Sequence, residues 1–240
     1  MADVRAGDPA PRWPGETRWP GETAQYRAAR NALTDAEQDL TRTVERVARL
    51  RRELPPGGAV PEDYVFSEGP RDLGEDDGAR PVRMSELFGQ HPTLLLYSFM
   101  FGVTGVPCRM CTSLVDGFDG AAADLERRVG FAVVAPAPLA ALRSYGAERR
   151  WRNVRLVSDE DQAYSRAYGG VDADGEPSTR MNVFTRRDGS IRHFYATEKP
   201  PSDAGEDNRH LDQLWALWGA LDLTPEGRGA DWRPDRPPRR

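Results

Sequence analysis

The sequence predicts a mixed α/β domain in which helices flank one sheet, preceded by a long N-terminal helix. Short apolar runs alternate with segments of helical periodicity through the middle of the chain. A stretch free of glycine and proline precedes them, and a strong Asp-Gly hairpin signal follows them. Alternation that ends in an antiparallel hairpin is typical of a mixed sheet.

The composition indicates a globular protein without a general affinity for polyanions. The chain has 240 residues, 38% of them hydrophobic and 30% charged, enough for one well-filled domain with extensions. A formal net charge of −5 gives no attraction to nucleic acid or anionic lipid, so neither is expected as a partner. The longest apolar run, residues 94–101, is too short to cross a bilayer, and the N-terminus lacks a secretory pattern. We therefore expect a cytoplasmic protein.

The N-terminal part of the chain divides into an arm and a helix. Residues 12–17 are repeated as residues 18–23, and Pro-Gly in each copy interrupts regular structure, so residues 1–23 are expected to form a flexible arm. Residues 24–54 contain neither glycine nor proline, which predicts one long helix. An apolar stripe on this helix could pack on the chain's own domain or pair with a second copy in a homodimer. The stripe recurs every seven residues, at Leu33, Leu40, Val47 and Leu54.

Residues 60–232 carry the pattern of the sheet and its helices. Residues 94–99 are almost continuously apolar, as expected for a central strand covered on both faces. Apolar residues then recur at three- and four-residue steps, which predicts a helix that begins near Cys108. The tail, residues 233–240, is rich in Pro and Arg and is expected to be disordered. Further strands are expected at residues 63–66, 81–83, 131–135, 154–157, 181–185 and 190–195, and further helices after Ser85, Pro138 and Ser158 and over residues 211–221.

The chain's two cysteines, Cys108 and Cys111, lie three positions apart between the apolar strand and the amphipathic helix. A strand, a Cys-x-x-Cys pair and a helix in this order are the layout of a thioredoxin-like fold. At a helix N-terminus the leading thiol meets free N–H groups and the positive end of the helix dipole, which lower its pKa. Arg109 adds a nearby positive charge. The sequence therefore predicts Cys108 as the nucleophile and Cys111 as the thiol that resolves a mixed disulfide.

Several motifs, taken together with the Cys-x-x-Cys pair, resemble those of one bacterial family. They are Phe99-Met100-Phe101-Gly102, Asp116-Gly117-Phe118-Asp119, Arg192-His193-Phe194-Tyr195-Ala196-Thr197-Glu198 and Asp222-Leu223-Thr224-Pro225-Glu226-Gly227-Arg228-Gly229. The family is the thioredoxin-like domain of unknown function eight-nine-nine family, whose members are described as predicted dithiol-disulfide oxidoreductases. The resemblance extends from about Tyr26 to Trp232 and implies a thioredoxin-like fold and a thiol–disulfide activity. Substrate docking is not carried over from thioredoxin, because Thr179-Arg180 stands where thioredoxins place a cis-proline.

Two residues outside the pair are candidates for stabilising a thiolate or a peroxide. Arg180 immediately precedes the strand that faces the active-site loop in thioredoxin-like folds, and peroxiredoxins, which share that fold, use an arginine in a comparable place. Thr104 lies four residues before Cys108 and could donate a hydrogen bond to a bound peroxide. A solvated surface arginine and an ordinary loop hydroxyl are the alternative interpretations.

A metal site is the main rival to redox chemistry. Two cysteines supply half of a tetrahedral zinc site, but His91, His193 and His210 lack the short spacing of zinc fingers. His193 lies on a predicted strand among aromatic residues, which favours a packed, hydrogen-bonded histidine. Asp116 and Asp119 follow the cysteines and are expected as helix-surface carboxylates. We therefore expect neither a metal nor another cofactor.

Three functional hypotheses follow from these features. The first is a thiol–disulfide oxidoreductase that cycles Cys108 and Cys111 between dithiol and disulfide on a protein or small-molecule disulfide. The second is a peroxiredoxin-like peroxidase, in which Cys108 attacks a peroxide and Cys111 resolves the product. The third is a non-catalytic binding or assembly module that uses the N-terminal helix and the aromatic C-terminal face.

Overall fold

The computed structural model describes residues 12–13, 16–75, 78–102, 105–198, 209–229 and 232–234. The chain divides into two compact units, Met1–Pro55 and Pro56–Arg240. Residues 1–11 and 14–15 of the expected arm and residues 235–240 of the expected tail lie outside the described residues, as does Thr104.

The first unit is built on one helix, α1 (Ala24–Arg52), close to the predicted range 24–54. It begins at Thr23, whose Oγ1 accepts a hydrogen bond from the Tyr26 N–H at 3.1 Å, as threonine does at many helix N-termini. Soon after its last residue the chain enters Pro55-Pro56-Gly57-Gly58, which cannot continue a helix.

Part of the repeated hexapeptide packs against the start of α1. Arg27 is buried, and its guanidinium donates to the Glu22 carboxylate at 2.7 Å and to the Thr17 carbonyl oxygen at 3.0 Å. Leu33 and Leu40 of the apolar stripe remain exposed in this unit. Pairing of α1 with a second copy therefore stays a prediction.

The second unit contains one sheet of seven strands. They are β1 (Val65–Glu68), β2 (Arg80–Arg83), β3 (Thr93–Ser98), β4 (Gly130–Ala135), β5 (Leu156–Ser158), β6 (Arg180–Arg187) and β7 (Ser190–Ala196). Their order in the sheet is β2-β1-β5-β4-β3-β6-β7. The central strands β3, β4 and β5 are parallel, and every other pairing is antiparallel.

Helices cover both faces of this sheet. They are α2 (Met84–Leu87), α3 (Arg109–Leu125), α4 (Leu139–Arg149), α5 (Ala163–Ala167) and α6 (Ala216–Leu221), with a 3-10 helix at Arg209–Leu214. Because side chains alternate along a strand, Tyr97 of β3 joins the apolar cluster of α3 with Leu114, whereas Leu96 joins the cluster of α5 with Tyr164. The two apolar layers make β3 the centre of the core, as the sequence predicted.

The connection β3–α3–β4, followed by the antiparallel hairpin β6–β7 beside β3, confirms the predicted thioredoxin-like α/β fold. The hairpin turns at Asp188-Gly189, where φ is 51° and 75°, as a two-residue turn requires. β1 and β5 each begin two residues later than predicted. The C-terminal aromatic segment differs from the single predicted helix, because the extended residue Trp215 separates the 3-10 helix from α6.

Two carboxylates on α3 hold the loop between α4 and β5. The Asp119 Oδ1 accepts hydrogen bonds from the backbone N–H groups of residues 152–154, at 2.9, 2.8 and 3.1 Å. Asp116 accepts from the Arg149 guanidinium at 2.5 Å and from the Trp151 indole N–H at 2.8 Å. The expectation that Asp116 and Asp119 are helix-surface carboxylates is wrong, because the fold brings this loop onto α3.

We expect Asp119→Ala to lower the free energy of unfolding by about 2–4 kcal/mol, because three backbone N–H groups lose their acceptor. Urea denaturation followed by circular dichroism measures this change. Asp124→Ala, at an exposed position of the same helix, is the control and should change the free energy by less than about 0.5 kcal/mol. Equal stability of Asp119→Ala and the unaltered chain would contradict the capping role.

Candidate dithiol site

The two cysteines follow the buried end of β3. Beyond Ser98 the chain turns back on itself, and the Cys108 N–H donates to the Met100 carbonyl oxygen at 2.9 Å. Gly105, with a φ of 75°, lies in this turn. Cys108 is the N-cap residue of α3, and Arg109, whose side chain is exposed, is its first helical residue. The leading sulfur therefore lies at a helix N-terminus, where backbone N–H groups lack helical partners.

The two thiols are close together and unequally exposed. They approach to 3.8 Å, with no disulfide between them. Cys108 is partly exposed, whereas Cys111, one helical turn further along, is only 4% exposed. A reagent in solution therefore meets Cys108 first.

The surroundings of Cys111 keep its thiol protonated. The neighbouring Cys108 sulfur and burial together raise the pKa of the Cys111 thiol well above its usual value. Tyr97 and the Met100 backbone act in the opposite direction but do not outweigh them. Near neutral pH Cys111 is therefore the sulfur of the pair that keeps its proton.

Tyr97 is a residue of this site that the sequence analysis missed. Its ring is fully buried on β3, in the same apolar cluster as Cys111. The Thr179 Oγ1 donates to the Tyr97 hydroxyl oxygen at 2.9 Å. Burial and then the neighbouring Cys111 raise the pKa of Tyr97 well above its usual value, so the phenol stays protonated. The available signal was a tyrosine in an apolar strand, because a buried phenol oxygen needs a polar partner.

Thr112, a second missed residue, fixes the first turn of α3 from the interior. Its side chain is fully buried, and its Oγ1 donates to the Cys108 carbonyl oxygen at 2.9 Å. The Thr112 N–H donates to the same oxygen at 2.9 Å, and the Tyr145 hydroxyl lies 2.9 Å from the Thr112 Oγ1. The peptide unit that follows Cys108 is therefore held by two hydrogen bonds.

Arg180 lies on the opposite face of the sheet from the cysteines. Along β6, Met181 belongs to the apolar cluster that contains Cys111, whereas Arg180 and Asn182 occupy the alternate positions. The Arg180 guanidinium packs against Gly169, since a Cβ added at that glycine would lie only 2.8 Å from the Arg180 Nε. The structure thus does not bring Arg180 together with the thiols.

His193 belongs to a polar group on that opposite face. Its Nε2 lies 3.1 Å from the Asn182 Oδ1, and its ring contacts Tyr168 and Phe184. Burial and then the charge of Arg180 lower the pKa of His193, which favours the neutral ring. His193 is therefore a packed, hydrogen-bonded histidine, as its strand position predicted.

Polar groups away from the dithiol are engaged with one another. A cleft of about 720 Å³ at the other end of β3 is lined by Arg71, Arg80 and Arg155. Arg80 and Arg155 both pair with Glu68, and Arg71 pairs with Glu126.

Among the described residues, no group of three or more His, Cys, Asp or Glu side chains is placed to hold a metal ion. The helices in the described part of the chain include none both long and apolar enough to cross a membrane.

Comparison with known proteins shows a family and similar structures. A family model described as "Bacterial protein of unknown function (DUF899)" matches residues 17–238. A search among curated protein sequences finds no match.

Solved structures with a similar arrangement share little sequence with this chain. Plasmodium yoelii thioredoxin peroxidase I has 15% identity and a TM-score of 0.46, over 75% of this chain and 100% of that one. Peroxidoxin BcpB from Mycobacterium tuberculosis has 17% identity and a TM-score of 0.43, over 70% of this chain and 99% of that one. Enterococcus faecalis AhpC has 10% identity and a TM-score of 0.46, over 69% and 93%.

We expect iodoacetamide to alkylate Cys108 in the reduced native protein at least about tenfold faster than Cys111 at neutral pH, because Cys111 is enclosed and protonated. Because the pKa of Cys111 is raised, its labelling should accelerate only when the pH exceeds the pKa of an ordinary thiol. Timed quenching and peptide mass spectrometry report both sites. The urea-unfolded chain, in which the two rates converge, is the control. Faster labelling of Cys111 than of Cys108 in the native protein would contradict the assignment of Cys108 as the more reactive thiol.

Proposed function

This chain belongs to the bacterial family DUF899, and we propose that it is a thiol–disulfide oxidoreductase that acts through Cys108 and Cys111. The proposed catalytic domain is residues 60–232, with residues 24–54 as a separate helical extension. Its substrate is a disulfide in a protein or a small molecule. The proposed compartment is the cytoplasm, where glutathione and thioredoxin systems keep such thiols reduced.

The unequal exposure of two neighbouring sulfurs is the observation that carries this proposal. Thiol–disulfide exchange needs one thiolate that an external disulfide can reach and a second thiol close enough to displace the product. Cys108 is partly exposed at the start of α3, and Cys111 lies enclosed 3.8 Å away. A pair of cysteines that only packs in the core requires neither a helix N-terminus nor an exposed sulfur.

The reaction proceeds in two exchanges. The Cys108 thiolate attacks one sulfur of the substrate disulfide, forms a mixed disulfide, and releases the other substrate sulfur as a thiolate. The Cys111 sulfur, after losing its proton, then attacks the Cys108 sulfur and releases the second substrate thiolate. The substrate gains two electrons, and the chain is left with a Cys108–Cys111 disulfide. A cellular dithiol must reduce this disulfide to complete the cycle.

Peroxide reduction is less well supported by the described residues. A peroxidase needs donors that hold a peroxide beside the Cys108 sulfur. Arg180, the arginine considered for this task, lies on the opposite face of the sheet, and Thr104 lies outside the described residues. Peroxide is therefore the alternative substrate in the experiment below.

We expect the reduced chain, equilibrated across a series of glutathione redox buffers, to form one intramolecular disulfide. Cys111→Ser should accumulate glutathione on Cys108, since the resolving sulfur is missing. Cys108→Ser should leave Cys111 unmodified, because the remaining thiol is enclosed and protonated. Acid trapping and intact-mass spectrometry distinguish the three products, and the two variants serve as controls for each other.

Activity assays on the same proteins identify the substrate class. Insulin reduction should fall to background in Cys108→Ser, and peroxide consumption should be absent from the unaltered chain. Peroxide consumption that requires Cys108, without insulin reduction, would replace the proposal with the peroxidase. The absence of any Cys108–Cys111 disulfide across the series would end the redox proposal altogether.

A further inference from the structure

We propose that two copies of this chain associate through the apolar stripe of α1, with the two helices antiparallel. The stripe is the row of large apolar side chains along one face of α1 and just beyond its end. Every member is exposed apart from Val47, which is partly buried. The members are Tyr26, Leu33, Leu40, Val44, Val47, Leu50 and Leu54.

The stripe is a continuous apolar surface and not a set of scattered side chains. Leu33, Leu40 and Leu50 are 50%, 63% and 53% exposed, and they extend over about 26 Å of one helix face. Single exposed leucines are ordinary, but a helix gains most of its stability in a protein by covering such a face. The 29 residues of α1 therefore require a covering surface.

The spacing of the stripe is that of a helix that packs on a second helix. Its apolar residues recur every seven positions, and a second set stands three positions after each of them. In an antiparallel pair centred between residues 41 and 42, each member of the first set meets a member of the second. The layers formed with the second copy are then Leu33 with Leu50, Leu40 with Thr43, and Val47 with Ala36.

The charges along α1 make a second copy the fitting occupant and select the antiparallel direction. Residues 35–39 contain three acids and no base, whereas residues 46–52 contain four arginines and no acid. In a parallel pair each segment would lie beside its own copy, and like charges would repel. In an antiparallel pair the acidic segment of one copy comes next to the basic segment of the other. Asp39 of each copy then lies near Arg46 of the second copy.

The ion pairs within the first unit are compatible with this exchange of partners. Each of the three acids has an exposed arginine partner, and exposed pairs contribute little stability, so they can be shared or replaced at low cost. In the same register Arg30 approaches Arg51 of the second copy, but Arg30 keeps Glu37 as a partner at 3.7 Å. The existing pairs are Arg12 with Asp35, Arg30 with Glu37 and Arg42 with Asp39.

We expect the full chain to sediment as a dimer at micromolar concentration. Leu40→Asp should weaken the association by at least about tenfold, because it places a charge in the apolar contact. Gln38→Asp is the matched control, since Gln38 is exposed on the opposite side of α1, and it should change the association by less than about twofold. Circular dichroism checks that both variants keep their helix content.

Charge reversal tests the direction without altering the apolar contact. Asp35→Arg combined with Asp39→Arg should weaken the dimer by about tenfold, and adding Arg46→Glu and Arg49→Glu should restore it. Added salt should weaken the unaltered dimer, because it screens attraction between opposite charges. A parallel dimer would instead become stronger as salt is added.

Distances between spin labels report the direction of the helices independently. Ala28→Cys and Thr41→Cys, each combined with Cys108→Ser and Cys111→Ser, carry one label in each copy. In the antiparallel pair the labels at position 28 should lie about 40 Å apart and those at position 41 within about 20 Å. In a parallel pair both distances would be short. Pulsed electron spin resonance measures them.

The outcomes leave the proposed function to its own test. A monomeric chain overturns the inference, and it would mean that the chain itself or another protein covers the stripe. A dimer that withstands Leu40→Asp, or that Gln38→Asp weakens equally, overturns it too. A short distance at position 28 overturns the antiparallel arrangement. If Leu40→Asp lowers the helix content, the charge-reversal variants decide. The disulfide between Cys108 and Cys111 is measured separately and does not depend on association through α1.

Discussion

The geometry of the dithiol depends on how β3 ends inside the molecule. Because β3 is covered on both faces, the chain that leaves it must satisfy its backbone polar groups within the protein. The hydrogen bond from the Cys108 N–H to the Met100 carbonyl oxygen, 2.9 Å long, does this, and it brings the start of α3 directly beyond the strand. One helical turn then separates a partly exposed sulfur from an enclosed one.

The two thiols differ because of their surroundings and not because of their chemistry. Cys108 has solvent on one side and a helix N-terminus on the other, which favours its thiolate. Cys111 has an apolar interior and a neighbouring sulfur around it, which favour its thiol. Tyr97 lies in the same apolar cluster as Cys111, and burial raises the pKa of its phenol, so that it stays protonated.

The two faces of the sheet carry two separate sets of polar residues. The cysteines, Tyr97 and Thr179 lie on the α3 face, whereas Arg180 and the hydrogen-bonded His193 lie on the α5 face. Along β6 a step of one residue moves a side chain from one face to the other. Burial and then the charge of Arg180 therefore lower the pKa of His193, on the face of the sheet away from the cysteines.

Sequence patterns alone predicted the order of strands and helices, the long N-terminal helix and the cysteine pair at a strand–helix junction. These features depend on periodicity and spacing between near neighbours, which are written locally in the chain. Only the tertiary structure brought Thr179 to Tyr97, 82 positions away in sequence, and only the register of β6 turned Arg180 from the thiols. The tertiary structure also buried Asp119 under the loop between α4 and β5. Such pairings follow from how distant segments pack, and no local pattern specifies them.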